Sequence, residues 1–321
     1  QPRIDTGLCC TYLPQYSAPV EKSSGGLSVD VWNVKTPLLR LLCRDFNQVV
    51  ISLRPRDAGW QISLDTREAQ GELLWRGDGD GAVSGNFKRL TIDAAESGGE
   101  AGDAKSTLIN SLPAMSLTVD DFRLGKKALG RLEVKARNVQ GSWNLDTLNV
   151  QNPDGTLRAR AIWINTGQHK SWMDFELNAK DVGKLLERLG YQDAVRRGTA
   201  KMKGDLRWSG PLTTIDYASL SGNLIVNAEK GQFNKLEPGI GKLLGLISLQ
   251  SLPRRLSLDF RDIFSEGLAF DSIEGKLGVQ NGIMRTTEPL RINGPAAQIE
   301  MQGETDRSEE RRVGKECRSR W

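Results

Sequence analysis

The chain has 321 residues, with 44 Lys and Arg against 40 Asp and Glu, a formal net charge of +4 and 38% hydrophobic residues. This composition excludes a disordered chain and a bundle of membrane spans, because the longest aliphatic run, 243–247, is far below the roughly 20 residues that a spanning helix needs. The single histidine, His169, excludes a histidine-rich metal site and leaves one candidate base for any triad or dyad.

Residues 1–26 have the composition of a linker, with three prolines and a Ser-Ser-Gly-Gly run. The chain begins with Gln1 and shows neither the basic nor the apolar region of a signal peptide, so we interpret it as a piece of a longer protein. Cys9, Cys10 and Cys43 do not have the spacing of a disulfide framework.

From Leu27 onward the dominant pattern alternates apolar and polar residues with period two, which is typical of strands with one buried face. The pattern is clearest in 200–209, where every second residue is polar or charged. It predicts more than twelve strands. Turn residues predict hairpins at 77–81, at Asp154-Gly155 and at Asn281-Gly282.

The stretch 93–112 is rich in Gly, Ala, Ser and acidic residues, which predicts a flexible loop and a domain boundary. It divides a β segment at 27–92 from a larger β region at 113–306. Two short segments have a helical repeat instead. In 181–190, between Asp181 as N-cap and Gly190 at the C-cap, the repeat is carried by Val182, Leu185, Leu186 and Leu189. In 239–249, which Pro253 ends, it is carried by Ile240, Leu243, Leu244 and Ile247.

No pattern of catalytic or metal-ligating residues stands out. His169 is expected in a solvated turn, and the Asp-Gly-Asp-Gly run at 78–81 is not a calcium loop because its twelfth position is Arg89. Carboxylates such as Asp205 and Glu274 fall on or near the polar phase of strands. We therefore expect no enzymatic activity, no metal and no cofactor.

The last fifteen residues, 307–321, differ abruptly from the rest, with six Lys and Arg against three Asp and Glu. We interpret this tail as a sequencing-adapter artefact and leave it out of the fold. The remaining residues carry a net charge of +1, which removes the argument for a nucleic-acid partner. Two short helices cannot cover so many strands, so an apolar trough remains unless the sheet folds over itself.

Three stretches near the C-terminus, 236–256, 259–267 and 292–306, resemble the AsmA-like C-terminal region of the YhdP family. The shorter stretches 67–71 and 75–77 are similar to the same family. The resemblance covers about 27–306, is specific from Gly198 onward and is poor over residues 1–26.

This resemblance implies a mainly β fold with a long, curved, antiparallel-rich sheet that forms an open apolar groove or an elongated β-sandwich. It further implies a portion of a bridge-like lipid-transfer protein in the Gram-negative periplasm, with an inner-membrane anchor outside this chain and contacts to the outer membrane or its proteins. Phospholipids would pass along the groove without catalysis. The groove-lining residues we predict are Met202, Leu206, Trp208, Leu256, Leu258, Phe260, Leu277 and Val279. The helix with Ile240, Leu243, Leu244 and Ile247 is predicted to plug or gate one end.

Two alternatives stay open at this stage. The strands can form a closed β-sandwich whose apolar faces pack only on each other, which would make the chain a periplasmic spacer. Alternatively, an exposed sheet edge can accept a strand from another protein, as an assembly factor for outer-membrane proteins would require.

Overall fold

The computed structural model describes residues 4–5, 31–41, 44–56, 59–77, 81–92, 112–165, 169–212, 214–234, 267–296 and 298–306. Within these ranges it has 17 strands and one helix, so the predicted mainly β class is confirmed. Contacts divide the chain into unit 1, residues 1–151 and 162–167, and unit 2, residues 152–161 and 168–321. This division does not coincide with the predicted boundary at 93–112.

The strands of unit 1 pair in chain order. They are β1 (Ile4–Asp5), β2 (Trp32–Leu41), β3 (Arg44–Arg56), β4 (Gly59–Asp65), β5 (Ala69–Arg76), β6 (Ala82–Ile92), β7 (Ala114–Leu124), β8 (Lys127–Val139) and β9 (Ser142–Asn152). From β2 to β9, neighbours are antiparallel except β6 and β7, which are parallel. A parallel pair needs a long crossover, which the connection between Ile92 and Ala114 provides. Within the linker-like residues 1–26, β1 pairs in parallel with β2.

Strand β10 (Gly155–Asn165) has residues in both units. The remaining elements belong to unit 2 and are β11 (His169–Ala179), α1 (Val182–Arg188), β12 (Val195–Ser209), β13 (Ser221–Phe233), β14 (Leu268–Gln280), β15 (Ile283–Asn293), β16 (Gln298–Met301) and β17 (Glu304–Asp306). Strands β11 to β15 form an antiparallel series, and both β16 and β17 pair with β15.

Two local predictions are confirmed in detail. Asn281 and Gly282 have φ angles of 51° and 78°, as the tight turn between β14 and β15 requires. Helix α1 has Asp181 as its N-cap, whose carboxylate accepts the Lys184 N–H at 3.0 Å. Its C-cap is Leu189 rather than the predicted Gly190, which follows with a φ of 92° in the left-handed position just after the helix. The second predicted helix, 239–249, lies outside the described residues. No helix in the described ranges is long and apolar enough to cross a membrane.

Each unit has its own apolar core on one face of its sheet. In unit 1 the buried cluster is Ala69, Phe87, Val119 and Leu132, and in unit 2 it is Ala194, Val195, Ala228, Phe270 and Ile292. Among the described elements, each strand makes its extensive contacts with the strands that neighbour it in the sheet, and α1 makes its own with β12. Within the described ranges, the sheet of each unit is therefore open, which favours the open form over the predicted β-sandwich alternative.

Candidate functional site

The strand register of unit 2 brings many predicted apolar residues to one face. Leu206, Gly222 and Val279 form one cross-strand row, and Leu224 pairs with Leu277 in the next. Because side chains alternate between faces along a strand, all the apolar partners project from the same side. We call this surface the unit 2 apolar face, and it comprises Met173, Phe175, Leu177, Met202, Leu206, Leu224, Val226, Leu277 and Val279.

Five of the predicted lining residues lie in described strands on this side of the sheet. Met202, Leu206 and Leu277 are half-buried, whereas Val279 and Trp208 are buried. The register joins Leu206 and Val279 across Gly222. The other predicted residues lie outside the described residues, namely Leu256, Leu258 and Phe260 of the lining and Ile240, Leu243, Leu244 and Ile247 of the proposed plug.

Trp208 lies at the end of β12 and is tied to the connection that follows it. Its indole N–H lies 3.0 Å from the Pro211 carbonyl oxygen and 3.1 Å from the Thr214 carbonyl oxygen, and its side chain is only 3% exposed. A buried indole needs such an acceptor. Trp208 therefore anchors the β12–β13 connection, in addition to any contact with a ligand.

Glycines on the unit 2 apolar face lie beneath the large side chains of neighbouring strands. A Cβ at Gly204 would lie 2.5 Å from Leu224 Cδ2 and 2.8 Å from Phe175 Cε1. A Cβ at Gly275 would lie 2.4 Å from Leu290 Cδ1. Because the two glycines lack a side chain, the neighbouring leucine and phenylalanine side chains lie directly against the backbone of the sheet.

The opposite face of unit 2 is charged, as the alternation predicts. Lys203 Nζ lies 3.4 Å from Glu176 Oε2, and Lys276 Nζ lies 2.7 Å from Glu288 Oε1. Between these two lysines, in the same cross-strand row, lies Ile225, which is 43% exposed. One face of the unit 2 sheet is therefore apolar and the other carries charged residues, although the charged row also includes the exposed Ile225.

The described carboxylates of this face bind neighbouring polar and charged side chains. Asp205 accepts a hydrogen bond from Asn223 at 3.1 Å. Hydrogen bonding from Asn178, together with Lys203, lowers the pKa of the Glu176 carboxyl. His169 begins β11 and is half-buried rather than in the solvated turn that the sequence suggested. No group of three or more His, Cys, Asp or Glu that could hold a metal occurs among the described residues.

Helix α1 closes one end of the unit 2 apolar face. Val182 and Leu186 pack against the cluster that contains Ala228 and Phe270. Asp154 fixes the helix in two ways. Its backbone carbonyl accepts the Lys180 and Asp181 N–H groups at 2.8 and 3.2 Å, and its carboxylate accepts the Arg188 Nε–H at 3.0 Å. The predicted turn at Asp154-Gly155 is therefore also the anchor of the helix.

Unit 1 has a comparable face. Val119 is fully buried and lies between Phe87 of β6 and Leu132 of β8 in one cross-strand row. Half-buried residues packed on this cluster include Leu73 and Leu117. We call this the unit 1 apolar face.

Sequence patterning missed part of the unit 2 apolar face. Met173, Phe175 and Leu177 of β11 lie on it, opposite Leu206, Gly204 and Met202 of β12. The signal was present, because apolar residues alternate with polar or charged ones from Ser171 to Ala179, interrupted by Trp172. That tryptophan obscures the period-two pattern.

Comparison with known proteins gives a consistent result. A family model described as "YhdP protein" matches residues 2–311. The match therefore includes most of residues 1–26, although the resemblance of that segment to the family is poor by sequence alone. The chain is 24% identical over 278 residues to the intermembrane phospholipid transporter YhdP of Escherichia coli (strain K12). This alignment covers 84% of the chain and 22% of the relative, so the chain spans about a fifth of the relative's length. No solved structure matches.

Proposed function

Because this chain belongs to the YhdP family, we propose that it forms one portion of a bridge that carries phospholipids between the inner and outer membranes of a Gram-negative bacterium. The relative it matches is an intermembrane phospholipid transporter. In this proposal the acyl chains lie on the apolar faces, the chain resides in the periplasm, and an anchor outside this chain holds the longer protein in the inner membrane.

The observation that carries the proposal is the difference between the two faces of unit 2. Leu206, Leu224 and Leu277 lie on one face. Among the described helices and strands, α1 packs extensively on that face. An acyl chain gains about 0.8 kcal/mol for each CH₂ that leaves water. Because successive rows offer similar apolar contact, a lipid can move from row to row without a deep energy minimum.

Transport of this kind needs no proton transfer, so we propose that the chain is not an enzyme. The opposite face supports this assignment, because its carboxylates form exposed ion pairs such as Lys276 with Glu288 and Arg291 with Glu300. Exposed ion pairs keep that face hydrated. The lipid is thereby directed to one side of the sheet.

Photo-crosslinking tests the proposal with a matched pair of neighbouring residues. Leu224 lies on the unit 2 apolar face, and Ile225 lies on the charged face with 43% of its side chain exposed. A diazirine amino acid at each position, in the purified chain mixed with phospholipid vesicles, is expected to label lipid from position 224 and much less from 225. If labelling depended only on solvent exposure, position 225 would label more lipid than position 224, because Ile225 is the more exposed residue.

Equal labelling at both positions would contradict the proposal. If position 224 labels no lipid and both faces resist hydrogen exchange, the β-sandwich spacer would be favoured instead. Labelling at Leu206 and not at Lys203 is expected to repeat the result on the neighbouring strand.

A further inference from the structure

Two tryptophans lie at the end of the unit 1 apolar face where β4 begins and β5 ends. Trp60 of β4 and Trp75 of β5 are directly opposite each other in the strand register. Because side chains alternate along a strand, the two indoles project from the same face as Leu64 and Leu73, which pack on the buried cluster around Val119. They therefore form the last row of β4 and β5 on the unit 1 apolar face.

The two indoles differ from the buried tryptophan of unit 2. The Trp208 N–H has two carbonyl acceptors, and its side chain is only 3% exposed. Trp60 is 39% exposed, and Trp75 is half-buried. In the part of the chain that the structure describes, the indole N–H groups of Trp60 and Trp75 have no hydrogen-bond acceptor. Because an indole at an apolar boundary usually finds an acceptor, both N–H groups are suited to bind a ligand.

The residue that follows β5 leaves the Trp75 N–H uncovered. Gly77 is exposed, and among the described residues a Cβ at this position would have one neighbour within 4 Å, the Trp75 Nε1 atom at 3.7 Å. Gly77 does not have a positive φ, so its backbone accepts other residues. A larger side chain at position 77 would shield the Trp75 N–H, and glycine keeps it accessible.

The chemistry of the tryptophan row favours a neutral acceptor. Its other members from β3 to β7 are Pro55, Val83 and Met115, so this part of the row contains no charged side chain. Phosphate is the preferred ligand of arginine and lysine, whereas a carbonyl oxygen needs only a neutral N–H. The next row inward pairs Ile62 with Leu73 and offers apolar contact. The ester linkage of a phospholipid, a carbonyl joined to an acyl chain, matches both rows.

We propose, on the basis of the proposed function, that Trp60 and Trp75 donate hydrogen bonds to the ester carbonyl oxygens of a phospholipid on the unit 1 apolar face. Ile62 and Leu73 then contact the first methylene groups of its acyl chains. A neutral hydrogen bond of this kind changes affinity by only about two- to tenfold. The two tryptophans therefore position the lipid without holding it permanently.

The test compares two short-chain phosphatidylcholines below their micelle concentrations, one with ester-linked and one with ether-linked chains of equal length. The two lipids differ only in the carbonyl groups. Binding to the purified chain is followed by NMR of the tryptophan indole N–H resonances. The ester lipid is expected to shift the Trp60 and Trp75 resonances downfield, and the ether lipid is expected to leave them nearly unchanged. Trp172, which lies opposite Arg207 on the charged face of unit 2, should not respond to either lipid.

Three variants separate the hydrogen bonds from other effects. The double variant Trp60→Phe, Trp75→Phe keeps aromatic rings but removes both donors, so the ratio of ester-lipid to ether-lipid affinity should fall by about fourfold or more. Using this ratio cancels changes in stability and in apolar contact. Gly77→Val should reduce the shift of the Trp75 resonance and leave that of Trp60. Trp172→Phe is the matched control and should leave the ratio unchanged.

The other outcomes separate this inference from the proposed function. If both lipids shift the two indole resonances equally, the acceptor lies in the headgroup and the ester assignment is overturned. If both lipids perturb the methyl resonances of Leu73 and Leu117 and neither shifts an indole, the tryptophan site is overturned while the proposed function stands. If Trp172→Phe lowers the ratio as much as the double variant does, the site is also overturned. If neither lipid perturbs a methyl group of either apolar face, the proposed function fails together with this site.

Discussion

Helix α1 depends on an ion pair that links two distant parts of the sequence, and its removal gives a quantitative prediction. In the Arg188–Asp154 pair the side chains are 27% and 10% exposed. Exposed pairs contribute at most about 1 kcal/mol, and breaking a fully buried pair costs about 3–5 kcal/mol. Because this pair lies between those limits, Asp154→Asn is expected to lower the free energy of unfolding by about 2 kcal/mol.

The loss should be local to the helix. The Asp154 backbone carbonyl still accepts the Lys180 and Asp181 N–H groups in this variant, so the turn is retained. Urea denaturation measures the stability, and hydrogen exchange of the Leu185 and Leu189 amides, which donate within α1, measures the opening of the helix.

A matched exposed pair serves as the control. Arg291 and Glu300 are 58% and 63% exposed, so Glu300→Gln should cost less than about 0.5 kcal/mol. A double-mutant cycle of Asp154→Asn with Arg188→Gln should give a coupling of at least about 1 kcal/mol. A coupling near zero, or unchanged exchange in α1, would refute the assigned role of Asp154.

Three more predictions address the unit 2 sheet. Gly204→Val places methyl groups where Leu224 and Phe175 now lie, so it should cost about 1–3 kcal/mol in urea denaturation and reduce lipid crosslinking from position 224. Trp208→Phe removes the donor to Pro211 and Thr214 and should cost about 1–2 kcal/mol in urea denaturation, whereas the same change at Trp60, which is 39% exposed, should cost much less. The lowered pKa of Glu176 means that its stabilising contribution is present above the ordinary carboxyl range and is lost as the pH falls through that lowered pKa. Carbon NMR should show its titration below that range, and Asn178→Ala should raise the midpoint.

The alternation of apolar and charged residues was enough to predict the two-faced strands. In β12, Met202 and Leu206 lie on one face and Lys203 on the other, as their spacing requires. The turn at Asn281-Gly282 was also predictable, because both positions need positive φ. These features depend on neighbours in the sequence, so the sequence alone carries the information.

Features that depend on distant pairing were not predictable. Asp154 and Arg188 are 34 positions apart, and nothing in the local pattern indicates that the turn anchors the helix. Arg89 of β6 lies opposite Asp121 of β7 only because these two strands pair in parallel, and a register shift between Gln70 and Gly71 decides which residue of β5 lies opposite Arg89. A period-two pattern gives the face of a residue but not its partner across the sheet.

The position of phospholipid acyl chains on the sheet is the central claim, and paramagnetic NMR tests it most directly. A phospholipid with a nitroxide on its acyl chain should broaden the methyl resonances of Met202, Leu206 and Leu277 on the unit 2 apolar face. The Ile225 methyl resonances, from the exposed isoleucine of the charged face, should remain sharp. Selective broadening of the apolar-face methyl groups is the predicted result, and broadening of Ile225 to the same extent, or of no methyl group, would contradict it.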